Sequence, residues 1–328
     1  AYVLKSGSEK GFAFDAVHDG EYFLTAMGGG GAMLDGGEDL NLLLAKPVRV
    51  IVSGGDVTGV ELALVPLASV AGRVVIEPLK DLTQKIGCKE DRIARVEEVV
   101  ISARSDNKPR PEERALGLLT SFMNTSPSDK GEFFLRCLRA GVHRVDLRLP
   151  SEILFMKSAT LHPATANAKP IDSAKSGLAL KSGDKIKGLV VTLSEGAAGL
   201  RGKVVTGEDN KPPTTKMRVH LVPAEPEAVD DVLRYFEAEV ATDGGFNIMN
   251  IGPGKYWLVA RELSEREQTE SDHKPVAWDA GGRMGLRFEG DASKKIIELA
   301  PCQRVADFVS KYTPLIQPSK PPARKPAQ

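Results

Sequence analysis

Three cysteines, two tryptophans and an aromatic share of 5% leave this 328-residue chain short of the residues that build metal centres, disulfide-dense scaffolds or aromatic ligand platforms. Cys88, Cys137 and Cys302 allow one disulfide with one thiol left over, and none has metal-ligand spacing. A run of about 18 apolar residues is also missing, so no helical membrane span is expected, and the first residues hold no signal-peptide core. Charge of one sign is absent: 44 Lys and Arg balance 44 Asp and Glu, which removes the electrostatic case for nucleic acid or an acidic membrane surface as partner.

Catalytic signatures are missing too. The five histidines, His18, His143, His162, His220 and His273, never fall three or four residues apart. Gly28-Gly29-Gly30-Gly31 is not followed by the Lys-Ser/Thr of a phosphate loop, and no Gly-x-Ser-x-Gly elbow or carboxylate pair occurs. The acidic stretch from Asp35 to Asn41 offers oxygen ligands of the kind calcium takes, without EF-hand spacing. No catalytic residue, resident metal or cofactor is expected.

What is present is turn chemistry. With 32 glycines, 21 prolines and valine-rich segments broken roughly every ten residues, the chain reads as all-β. One phrase occurs three times: Gly11 to Leu24, Gly131 to Val145 and Gly245 to Val259. Each is strand, tight turn, strand, with an inner Gly (Gly20, Gly141, Gly254) suited to positive φ and a Tyr22, His143 or Tyr256 two residues later. His143 stands where the other copies have Tyr, so a packing or turn-bonding role is expected of it. A second phrase, Ser53-Gly54-Gly55-Asp56, Ser182-Gly183-Asp184 and Glu289-Gly290-Asp291, precedes apolar closing strands. A third opens the next unit at Val70 to Val75 and at Leu200 to Val205. Ala228, Val229, Val232, Leu233 and Phe236 at helical spacing predict a short helix over Pro226 to Phe236.

The order of a GRVV-like strand, a GxFxIxxIxPGxYxLxA hairpin (best matched by Gly245 to Ala260) and a Gly-Asp-apolar closing strand resembles the carboxypeptidase regulatory-like domain. That resemblance implies transthyretin- or immunoglobulin-like antiparallel β-sandwich modules in tandem, as in secreted and cell-surface bacterial proteins, with the short helix in module three. It marks fold more than function. Residues 1–68 read as an incomplete module, 69–196 and 197–301 as complete ones, and 302–328 as a spare opening-type strand with a basic Pro-rich tail. That resemblance also gives an extracellular or cell-surface location as the expectation.

An unfinished sandwich exposes an apolar groove and an unpaired edge. The expected filler is the strand at about residues 303 to 317, with Val305, Phe308, Val309 and Tyr312 donated to Tyr2, Phe12, Phe14, Tyr22 and Leu24 of the next copy, giving a head-to-tail homopolymer. The alternatives are a fragment of a longer repeat array, a binding or adhesion module for glycan or protein with Trp257 and Trp278 as the aromatics available, and an appendage of a peptidase. Cys88 and Cys137 fall in one module and are expected to meet as a disulfide or as two buried thiols.

Overall fold

The computed structural model describes residues 11–29, 42–79, 88, 94–106, 124–165, 168–207, 209–269 and 273–312. They divide into two compact units. Unit one takes in the described residues up to Val74, with Val96–Arg148 and Ala159–Val190; unit two takes in Val75–Arg95, Leu149–Ser158 and the described residues from Val191 onward.

The first thirteen strands are β1 (Gly20–Leu24), β2 (Met27–Gly28), β3 (Leu43–Ala45), β4 (Val48–Val52), β5 (Leu64–Pro66), β6 (Ala68–Glu77), β7 (Val100–Ser105), β8 (Glu132–Leu138), β9 (Gly141–Arg148), β10 (Leu154–Leu161), β11 (Ile171–Asp172), β12 (Leu178–Leu180) and β13 (Lys185–Glu195), with a one-turn helix α1 (Ser173–Ser176). Within unit one, β1 pairs with β4, and β2, β3 and β5 form a small sheet. Two further sheets are ordered β8-β6-β13-β10-β11 and β7-β9-β12, with the ends of β6, β10 and β13 belonging to unit two. Val70, Ile101, Phe133, Leu135 and Leu189 on these strands are fully buried.

Unit two holds β14 (Ala198–Thr206), β15 (Met217–Pro223), β16 (Phe236–Glu239), β17 (Gly245–Ile251), β18 (Gly254–Glu262), β19 (Ile296–Leu299) and β20 (Arg304–Tyr312), with helices α2 (Glu265–Thr269) and α3 (Ala280–Ser293). One sheet runs β17-β14-β20 and the other β16-β15-β18-β19. Leu200, Val204, Met217, Val219, Leu221, Phe246, Ile248, Ile251 and Tyr256 fill the space between them. The fold is thus all-β, in antiparallel-dominated sandwiches, as expected.

The repeated phrase turns a corner between sheets rather than pairing as the expected hairpin: β8 and β9 lie in different sheets, as do β17 and β18, and in the first copy residues 11–19 carry no strand before β1. Ala16, Cys137 and Asn250, each four residues before the corner glycine, adopt φ of 55°, 59° and 57°. In the second and third copies the ladder to the opening strand slips there, between Ala68 and Val70 and between Ala198 and Leu200, which makes the left-handed residue a β-bulge. After the turn, the same side-chain position bonds back four residues. The Tyr22 hydroxyl donates to the His18 carbonyl at 2.8 Å, His143 Nε2 to the Arg139 carbonyl at 2.8 Å, and the Tyr256 hydroxyl to the Gly252 carbonyl at 2.5 Å. Such a bond ties the strand start to the corner that precedes it. His143 does this as a tyrosine substitute, and burial pushes its pKa down.

Three expectations are corrected. First, Pro226 to Phe236 is not a helix but two 3-10 turns, Pro226–Ala228 and Val232–Arg234, because the Asp231 carboxylate accepts from the Leu233 amide and restarts the chain between them. The helix of module three is α3, capped by Asp279, whose carboxylate accepts from the Gly281 and Gly282 amides. Second, Gly290-Asp291 lies inside α3, whereas Ser182-Gly183-Asp184 is the turn between β12 and β13, so the two are not equivalent. Third, the segment from residue 304 is not spare. Gly202 explains why: a Cβ there would fall on the Phe308 carbonyl and the Phe246 ring, and at Gly72 on the Leu189 carbonyl and the Phe133 ring. The opening-strand glycine therefore lets a closing strand and a phenylalanine approach on either side, and β20 is to β14 what β13 is to β6.

Candidate functional site

The residues assigned to donation sit at home. Val305 pairs with Leu200, Phe308 with Gly202, Val309 with Lys203 and Tyr312 with Thr206, in a parallel ladder within one chain. Val305, Phe308 and Tyr312 pack against the core of unit two, while Val309 is 62% exposed. Removing β20 would uncover that core, so it is a structural strand of its own sandwich. Of the acceptor set, Tyr22 and Leu24 are half-buried in β1, opposite Val50 and Val48 of β4. Phe12 and Phe14 make an edge-on ring pair 6.0 Å apart, and Tyr2 lies outside the described residues. The glycine run beyond Gly29, the acidic stretch 35–41 and residues 313–317 of the expected donor also lie outside them.

The expected Cys88–Cys137 pairing is overturned. Cys88 is bonded to Cys302, with Cα atoms 5.0 Å apart across a sequence separation of 214, and both residues belong to unit two. Cys137 is a buried free thiol whose pKa burial raises, which makes it a small core residue rather than a nucleophile. Trp257 is 7% exposed and packs under α3, so it offers no platform for a glycan.

A polar site does exist in unit two, and the sequence did not single it out. β15 is central in its sheet and buried on both faces. Met217, Val219 and Leu221 face the sandwich core; Arg218, His220 and Val222 face the other way, beneath the segment that follows β18. Cross-strand register sets two rows on that face: Glu239–Arg218–Arg261 and Glu237–His220–Val259 across β16, β15 and β18. Arg218 and His220 are only 5% and 6% exposed. With His273, Lys274 and Glu267 from the covering segment, they line a cavity of about 410 Å³, within the range of roughly 300 to 1,000 Å³ common for small-ligand sites.

The hydrogen bonds of the cavity are specific. Arg218 donates to Glu239 at 3.1 Å, and one of its other nitrogens lies 2.5 Å from His273 Nε2. Glu237 also lies 2.5 Å from that Nε2 and accepts from the Val276 amide at 3.3 Å. His273 Nε2 can accept from the guanidinium or donate to the carboxylate, but not both at once. His220 Nδ1 is buried without a hydrogen-bond partner, 3.6 Å from Glu237. Burial first, then the charges of Arg261, Arg218 and His273, lower the His220 pKa to about 3, so its ring is neutral. The Ser264 hydroxyl and amide bond to Glu267 and hold its carboxyl below the ordinary value. Among the described residues, no group of three or more His, Cys, Asp or Glu side chains is arranged to hold a metal, and no helix is long and apolar enough to cross a membrane.

Fold and site define a chain of β-sandwiches with a charged cavity in unit two. No protein-family model matches it, and no curated protein does. Among solved structures, the Bacillus anthracis TIE protein aligns over 83% of this chain and 37% of its own, at 11% identity and a TM-score of 0.22. A streptococcal ancillary pilin aligns over 76% and 72% at 11% identity and a TM-score of 0.20. A minor pilin of Streptococcus agalactiae aligns over 77% and 100% at 10% identity and a TM-score of 0.22. This chain thus spans little more than a third of the first of these proteins. At such scores the likenesses carry neither fold nor function over to it.

Proposed function

We propose that this chain is a non-catalytic structural segment of an extracellular or cell-surface protein, with tandem sandwiches that hold their shape under load, as the resemblance to carboxypeptidase regulatory-like domains implies. The observation that carries this reading is the Cys88–Cys302 disulfide at the threshold of β20. Structural disulfides persist in oxidising compartments outside the cytosol. This one shunts tension applied outside the bridge past everything between residues 88 and 302. Polymerisation by strand donation is not part of the reading, because β20 is already hydrogen-bonded to β14.

Single-molecule stretching with handles flanking residues 11 and 312 tests it. With the bridge intact, the residues between Cys88 and Cys302 contribute no extension; reductant then adds about 700 Å of contour length for the 214-residue separation. Equal contour lengths with and without reductant would overturn the load-shunting role.

A further inference from the structure

Arg218 and Arg261 face each other directly across β15 and β18, a like-charge cross-strand pair. Such a pair is unfavourable unless something negative lies close by. Arg218 has Glu239 at 3.1 Å on its far side. Arg261 reaches Glu289 only at 3.9 Å, beyond hydrogen-bonding distance, and its side chain is about half exposed at the cavity. Beside them in the same cavity, on the next row of the sheet, is His220, whose buried Nδ1 has no hydrogen-bond partner. An unpaired buried polar atom costs on the order of 1–3 kcal/mol, a cost that a ligand bonding to it would offset.

We propose that this cavity binds the carboxylate of a small ligand, held by the Arg261 guanidinium and by His220 Nδ1–H, with Arg218 supplying charge from behind. The planar guanidinium fork matches a carboxylate. Glu237, Glu262 and Glu267 at or beside the cavity oppose a second negative charge, which disfavours a dianion such as phosphate. They would accept instead from hydroxyl or ammonium groups on the rest of the ligand. The charged and titratable groups around His220 are Arg218, Arg261, His273, Glu237 and Glu267. A bound carboxylate adds a negative charge to that set, so it raises the pKa of His220 above about 3.

The test is a titration of the whole chain, followed by the imidazole nitrogen resonances of His220, assigned with His220→Asn. The probes are sodium acetate, sodium glucuronate, glycine and inorganic phosphate. Saturable shifts are expected with one or more of the carboxylates, and glucuronate or glycine exceeding acetate would identify hydroxyl or ammonium contacts at the rim. Arg261→Gln should weaken binding by at least about tenfold, equivalent to about 1.4 kcal/mol, with Trp257 fluorescence unchanged as the check on folding. Glu298→Gln on β19 serves as the control and should leave binding unaltered. Three outcomes each overturn the proposal: no carboxylate shifts His220 at about 50 mM, far above a ~1 mM dissociation constant; phosphate binds and carboxylates do not; or Arg261→Gln binds as tightly as the parent chain.

Discussion

At the scale of single residues, the corner of unit two concentrates several bonds on one hydroxyl. Tyr256 is fully buried, donates to the Gly252 carbonyl and accepts from Arg234 Nε at 2.7 Å. Arg234 in turn pairs with Glu225, which accepts from the Lys255 amide. Burial raises the Tyr256 pKa to about 12, so the phenol stays protonated and able to donate. Tyr256→Phe should therefore cost about 1–3 kcal/mol, since a buried carbonyl and a guanidinium lose their partner. Tyr22→Phe should cost less, because its hydroxyl bond is exposed. Urea midpoints of the two variants check the order.

His220 gives unit two a pH dependence whose sign follows from its lowered pKa. The ring takes up a proton near 6.5 when unfolded but only near 3 when folded. Its contribution is therefore fully present above pH 6.5 and is lost as pH falls from 6.5 toward 3, with a slope of up to about 1.4 kcal/mol per pH unit. His143, also lowered by burial, acts in the same direction in unit one. Urea unfolding of unit two between neutral pH and pH 4 should fall less steeply in His220→Asn than in the parent chain; equal slopes would remove His220 as the cause.

Among elements, the strands on either side of the second and third corners and the opening strands were legible because alternation and glycine placement are local, whereas their assignment to different sheets rather than to one hairpin was not, because pairing partners lie far away in sequence. Gly245 to Val259 reads as strand, turn, strand in any context, and the identical backbone device at Ala16, Cys137 and Asn250 follows from that shared phrase. The cavity was not legible. In β15 the sequence Met217-Arg218-Val219-His220-Leu221 alternates apolar with polar, which places Arg218 and His220 on a face that water should cover. They are buried because residues 263–269 and 273–293 lie over that face between β18 and β19. That covering helix is itself hard to read, since Gly281, Gly282, Gly285 and Gly290 all lower the propensity of α3. The disulfide was not legible for a similar reason. Cys88 and Cys137 share a module in sequence, yet Cys302, 214 residues from Cys88, is its partner.

The closing strand was the costliest misreading, and its reason is also physical. Residues 299–309 resemble residues 64–74 in composition, because a closing and an opening strand of one sheet pack on the same core with the same apolar alternation. Only the ladder distinguishes them. β20 runs parallel beside β14, over a glycine that admits its backbone.

In the whole molecule, β20 completes unit two within its own chain. Phe308 and Tyr312 cannot both seal that core and serve a neighbour. The most direct test is sedimentation velocity of the full chain beside a chain ending at Gln303, which keeps Cys302 but lacks β20. A monomeric full chain is expected, and a truncated chain with a larger frictional ratio because unit two has lost its closing strand. Linear oligomers of the full chain that dissolve on truncation into compact, folded monomers would contradict it.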